Sequence, residues 1–138
     1  MKILVADDEP LLLRTIGDRL AREGHEVLRA ENGRVALEIL DQHPVDLVLT
    51  DIVMPDTDGI EVVRALRRTR PETRVICMSA HDEVYLNVAR LLGAVRVLVK
   101  PFEWSELQEA IGSAAETPAS PETENRHPAP KREQARSL

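Results

Sequence analysis

Five polar side chains, each directly behind an apolar run, are the residues of this chain best suited to chemistry. Asp7 and Asp8 follow Ile3-Leu4-Val5-Ala6, and Asp51 follows Leu47-Val48-Leu49-Thr50. Ser79 follows Val75-Ile76-Cys77-Met78, and Lys100 follows Val95-Arg96-Val97-Leu98-Val99. Such runs read as strands, with Pro55 and Gly59 marking the turn behind the third. The carboxyl ends of strands are where open parallel sheets hold ligands. Three carboxylates at one sheet edge repel one another unless protonated or offset by a cation. Magnesium is the economical cation, because it takes oxygen ligands, keeps several waters and needs only one or two carboxylates.

The set suits transfer of a phosphoryl group to a side chain. A carboxylate attacking phosphorus approaches a group already rich in negative charge, so the site needs cations. Asp8 and Asp51, with a backbone carbonyl and waters, would hold magnesium, while Asp7 would hold a water beyond the ligands. Lys100 offers a compact positive charge to one phosphate oxygen, and the Ser79 hydroxyl can donate a hydrogen bond to another.

Each residue also has a plainer reading. A lone Asp at a strand end caps the next helix, a lone Lys is solvated, and a lone Ser bonds backbone. Agreement of five groups at four strand ends outweighs these. Asp56 and Asp58 beside Gly59 read as turn chemistry, and Glu9 as a partner for the first helix's N-terminus. His25, His43, His81 and His127 lack metal-site spacing and read as surface residues. Arg64, Arg67, Arg68 and Arg70 read as a solvated helix face. Cys77 lies inside an apolar run, where a buried structural thiol is expected.

The elements that must position these groups alternate in type. Strand-like runs at 3–6, 26–30, 46–50, 74–78 and 95–99 alternate with helical patterns near 10–23, 33–42, 59–69, 83–92 and 103–114. Pro10 suits the first turn of a helix and Gly24 its end. Leu13, Ile16 and Leu20 form one apolar stripe, Val84, Val88, Leu91 and Leu92 another, and Trp104, Leu107 and Ile111 a third. The alternation predicts a doubly wound, five-stranded parallel sheet with five helices. The second and fifth runs carry charge, which suits sheet edges. The strand order 2-1-3-4-5 follows, with the ends of the first and third strands at the topological switch point.

The chain has 138 residues, 43% hydrophobic and 30% charged, within the range of one globular domain. Aromatics at 2% make the core aliphatic, and a net charge of −6 disfavours nonspecific nucleic-acid binding. No apolar stretch approaches membrane-spanning length, and the start is too short and acidic for a signal peptide, so cytoplasmic residence is expected. Residues 115–138 hold four of the nine prolines and none of the six glycines, with balanced charge and no apolar periodicity. A folded unit over 1–114 and a disordered Pro/Glu/Ala-rich tail over 115–138 are expected.

The motifs Val5-Ala6-Asp7-Asp8-Glu9-Pro10, Asp51-Ile52-Val53-Met54-Pro55 with Asp58-Gly59, Met78-Ser79-Ala80, Gly93-Ala94 and Lys100-Pro101-Phe102 resemble those of receiver domains of two-component response regulators. The similarity extends to the CheY-like single-domain type, covering about the first 114 residues. It implies that Asp51 accepts phosphate from a histidine kinase or phosphotransfer protein, and that Lys100 and Ser79 bind the phosphoryl group. It implies magnesium on Asp8, Asp51 and the Val53 carbonyl, with Asp7 assisting through water, and a cis Lys100-Pro101 bond; some members also keep an acid near the metal where Glu9 stands. It also implies a downstream protein target on the face of the fourth helix, fifth strand and fifth helix; Trp104 reads as a packing residue at the start of the last helix, and would join that face if partly exposed.

Two positions depart from that family's pattern. Val97 stands where an aromatic often turns inward on activation, and Val53 where many members have a polar residue flanking, with His81, the path of attacking water. Two other readings compete. An aspartate-nucleophile phosphohydrolase usually has a second acid where Val53 stands, and a cap domain. A pseudo-receiver, a binding module that takes no phosphate, is opposed by the intact five-residue set.

Overall fold

A computed structural model describes residues 1–54, 57–80 and 83–116. The element order is β1 (Lys2–Ala6), α1 (Pro10–Arg22), β2 (Glu26–Ala30), α2 (Gly33–Gln42), β3 (Leu47–Asp51), α3 (Gly59–Thr69), β4 (Arg74–Ser79), α4 (Glu83–Leu91), β5 (Arg96–Val99) and α5 (Trp104–Glu116). The strands form one parallel sheet in the order β2-β1-β3-β4-β5, as the alternation predicts. The central strand β3 is buried along its whole length, and β1 and β4 are buried beyond their first residues. β2 and β5 are the edges, and they carry the exposed Glu26, Arg29 and Val99.

Strand pleating sorts the core into two layers. Leu4, Ala6, Val48, Val75 and Cys77 pack on the side of α2, α3 and α4. Ile3, Val5, Leu47, Leu49, Ile76, Met78 and Leu98 pack on the side of α1 and α5. The same period of two carries Asp7, Asp51 and Lys100 toward the second layer's side, beyond Val5, Leu49 and Leu98. Pairing of Ala6 with Thr50, and of Ser79 with Val99, sets the strand ends level.

Local chemistry fixes the boundaries. Pro10 opens α1, and Gly24 follows its end at φ 97°. The Asn32 side chain caps α2 through the Val35 N–H at 2.8 Å, and Asp58 caps α3 through the Glu61 N–H at 3.0 Å. Gly59 is a packing requirement: a Cβ there would lie 2.2 Å from the Asp51 carbonyl oxygen.

Two sequence expectations are corrected. Leu91 does not share the buried face of α4: it is 86% exposed, while Val88 and Leu92 pack on the core. A spacing of three from Val88 to Leu91 steps off the buried stripe, which Leu92 continues. Arg67 is not on a solvated face, since its guanidinium donates to the Thr73 carbonyl at 2.6 Å and the Pro71 carbonyl at 3.4 Å, stapling the turn into β4. Trp104 is the packing residue expected, set against the α1 and α5 side of the core, with the Arg19 guanidinium 4.4 Å from its ring centroid and its Nε1 donating to Glu23 at 3.2 Å. The expectations for Pro55, Asp56, His81, the Val84 side chain and residues 117–138 lie outside the described residues.

Candidate functional site

The loops after β1, β3, β4 and β5 surround a crevice of about 1000 Å³ lined by Asp8, Asp51, Ser79 and Lys100, with Leu12 and Phe102 among its apolar walls. Asp7, Asp8 and Asp51 each place a carboxylate oxygen within 4.8 Å of the others. The five groups singled out in the sequence therefore meet at one place.

Their surroundings divide them. Asp7 is fully buried and both of its oxygens are engaged: Oδ1 accepts the Glu9 N–H at 2.9 Å and Oδ2 accepts from Lys100 Nζ at 2.8 Å. Asp8 is exposed to the crevice. Asp51 Oδ1 accepts the Ile52 N–H at 3.0 Å, and Oδ2 lies 3.5 Å from Lys100 Nζ. Backbone bonds hold these ends together: Lys100 N–H donates to the Ser79 carbonyl at 2.7 Å, Ile52 N–H to Met78 at 2.9 Å and Gly59 N–H to Ile52 at 2.7 Å. The Lys100-Pro101 peptide is cis.

Burial raises the Asp51 carboxyl to about 6, against the lowering effect of Lys100 and with help from the charges of Asp7 and Asp8. For Lys100, burial opposes the charge, but the hydrogen bond and charge of Asp7, with Asp51 and Glu9, prevail and raise its pKa. The pocket is thus short of positive charge even with its lysine, and its donors are all oxygen, a set suited to magnesium. Cys77 is buried within β4, and desolvation pushes its thiol up to about 12, in keeping with a structural role.

Of its two expected parts, Glu9 takes the one beside the site. It occupies the N-cap position of α1 without a side-chain capping bond, and Oε1 lies 3.5 Å from Lys100 Nζ. Sequence reasoning also missed the apolar walls; the Lys-Pro-Phe run signalled Phe102, whereas Leu12 reaches the crevice through helix packing alone. Val53, two residues past Asp51, is 57% exposed on the crevice wall.

This architecture is that of a phosphoacceptor switch, and comparison with known proteins agrees. Residues 3–112 match the response regulator receiver domain, and the chain belongs to that family. It is 36% identical to the chemotaxis protein CheY of Bacillus subtilis over 112 residues, covering 80% of this chain and 93% of that protein. It is 36% identical over 125 residues to the transcriptional regulatory protein GlrR of Escherichia coli, covering 90% of this chain and 28% of that one. The chain spans about a quarter of the length of the transcriptional regulators it matches in this way. A crystal structure of the response regulator TrrA from Thermotoga maritima in complex with Mg(2+)-BeF is 33% identical, with a TM-score of 0.75 over 82% of this chain and 97% of that one.

Receiver domains are phosphoacceptor switches of two-component signalling rather than conventional enzymes. As a class they bind magnesium through an acidic cluster and engage histidine kinases or phosphotransfer proteins. Among the described residues, no helix is long and apolar enough to cross a membrane.

Proposed function

We propose that Asp51 is the phosphoacceptor of this chain, taking a phosphoryl group from a partner histidine kinase or phosphotransfer protein and losing it slowly by hydrolysis. The observation that carries the reading is the meeting of Asp7, Asp8 and Asp51 within 4.8 Å, with Lys100 Nζ 3.5 Å from the Asp51 carboxylate. Asp51 Oδ2 faces the lysine and is the attacking oxygen. The P–N bond of the donor phosphohistidine breaks as the new P–O bond forms, and the imidazole leaves with the electron pair of the broken bond. Lys100 and the Ser79 hydroxyl then hold oxygens of the transferred group.

Asp8, Asp51 and the Val53 carbonyl are the magnesium ligands of this reading, with Asp7 acting through water because both its oxygens are committed. Magnesium supplies the positive charge that lets an anionic donor approach a carboxylate. Asp7 fixes Lys100 in place.

Phosphorylation changes the surface of α4, β5 and α5 and with it the affinity for a downstream protein. Leu91 at 86% and Val99 at 51% exposure give that surface apolar contacts. Val97 packs on the α4 side of the core, and the switch relies on Ser79 and the loop behind it in place of an aromatic swing. Cytoplasmic residence and a tail without a core of its own, starting after α5 ends at Glu116 and not after residue 114, belong to the same reading.

Incubation with acetyl phosphate, with and without magnesium, on wild type and Asp51→Asn tests it by intact mass. One added phosphoryl group on wild type with magnesium, and none on the variant, is expected. Label that persists on Asp51→Asn places the acceptor elsewhere. A protein that takes no label from acetyl phosphate or a kinase is the pseudo-receiver.

A further inference from the structure

The loop behind β3 carries the Val53 carbonyl, and part of it rests on the head of α2. Gly33, the first residue of α2, is buried there. Alanine is the better helix former, and Gly33 has no positive φ to call for glycine, unlike Gly24 and Gly93. Close approach accounts for it instead. A Cβ at Gly33 would collide with the Thr57 carbonyl group, and would crowd the Thr57 Cβ at 2.9 Å. A backbone carbonyl cannot swing aside as a side-chain tip can. Neither partner is free to retreat. Asn32 caps α2, which packs Ala36 and Leu40 into the core. The loop buries Met54 in the same cluster, and the Asp58 cap pins its far end to α3. A push on Thr57 therefore reaches Gly59, whose N–H holds the Ile52 carbonyl at 2.7 Å, next to Val53.

We propose that Gly33 is a positioning residue for the metal site: its lack of a side chain lets the loop settle on α2, and that seat fits the site to magnesium over calcium. The inference rests on the reading of Asp8, Asp51 and the Val53 carbonyl as the ligands. Asp8 and Asp51 follow from β1 and β3, whose direct pairing sets the strand ends level. The Val53 carbonyl lies beyond the strand, so its place depends on how the loop is seated. Magnesium is small and demands near-ideal octahedral geometry, whereas calcium accepts longer bonds and looser arrangements. A small displacement of the loop therefore costs magnesium more than calcium.

The test measures magnesium and calcium affinities by calorimetry, without phosphodonor, beside thermal melts in chelator. Gly33→Ala should weaken magnesium binding about tenfold and calcium binding about threefold or less. Thr57→Gly, which keeps Gly33 and slackens the loop, should shift the ratio of the two affinities the same way by a smaller factor. Gly112→Ala on α5, where a Cβ meets nothing within 4 Å, should melt higher and bind both ions as wild type does. Val45→Ala, which thins the core just before β3 at the end away from the crevice, should melt lower and still bind both ions normally. Equal losses for the two ions in folded Gly33→Ala, no loss, or the same change in Val45→Ala would overturn the inference. If Gly33→Ala does not fold, an unchanged ratio in Thr57→Gly overturns it. In each of these cases, loss of magnesium in Asp8→Asn would leave the ligand reading standing. Magnesium held as tightly by Asp8→Asn as by wild type, or not bound by wild type at all, would overturn both.

Discussion

Removing the proposed acceptor's charge should make the metal-free protein more stable. Asp51 is raised from 3.8 to about 6, chiefly by burial, and each pKa unit corresponds to about 1.4 kcal/mol. At full weight the shift amounts to roughly 3 kcal/mol of destabilisation when the carboxylate is ionised. Its side chain retains 10% exposure at the crevice and faces Lys100 at 3.5 Å, and solvent screening there reduces the figure to roughly 2 kcal/mol. Because the folded pKa lies above the unfolded one, the fold binds the proton more tightly. The penalty is complete above about pH 6 and disappears below the unfolded value of 3.8. Asp51→Asn should therefore melt roughly 8 °C above wild type at pH 8 in chelator, with the gap closing toward pH 4. Magnesium at tenfold its Kd should return about 1.4 kcal/mol to wild type and little to the variant. Calorimetric melts across pH, with and without magnesium, give the comparison. A variant that melts at or below wild type at pH 8 in chelator would refute a burial penalty on the ionised Asp51 carboxylate.

The other expectations differ in sign or in readout. Lys100→Met should destabilise the fold by about 3–5 kcal/mol in urea titrations, because it strands the fully buried Asp7 carboxylate, and it should also abolish acetyl phosphate labelling. Gly59→Ala should cost about 2–3 kcal/mol and slow labelling, since the new Cβ meets the Asp51 carbonyl oxygen and the Ile52 Cα, backbone atoms that cannot step aside. Val53→Asn should shorten the lifetime of the phosphoryl group several-fold, followed by decay of intact mass; equal lifetimes in the two proteins would dispose of a part for this position in hydrolysis.

The strands and their order were legible because parallel sheets impose a simple rule on sequence. Strands covered on both faces must be apolar throughout, and edge strands tolerate charge. That rule ranked 3–6, 46–50 and 74–78 as central, and these runs are β1, β3 and β4. The site was legible for a related reason. Each functional side chain sits immediately after its strand, so the pattern that reveals the strand also locates the residue. Asp58, read as turn chemistry beside Gly59, caps α3 through a contact over three residues.

Contacts across the chain were not. Sequence spacing gave Asp7 and Lys100 as members of one edge, but it could not tell that the pair forms a 2.8 Å bond that commits Asp7 and leaves Asp8 exposed. Nor could it turn Glu9 from the helix terminus toward Lys100, seat Arg67 under its turn, or aim Trp104 at α1. Sequence by itself determined which residues stand at the ends of which strands, because periodicity is a local property of the chain. The tertiary structure decided which of those residues share charge, since that depends on distances of a few ångström between segments that only packing brings together.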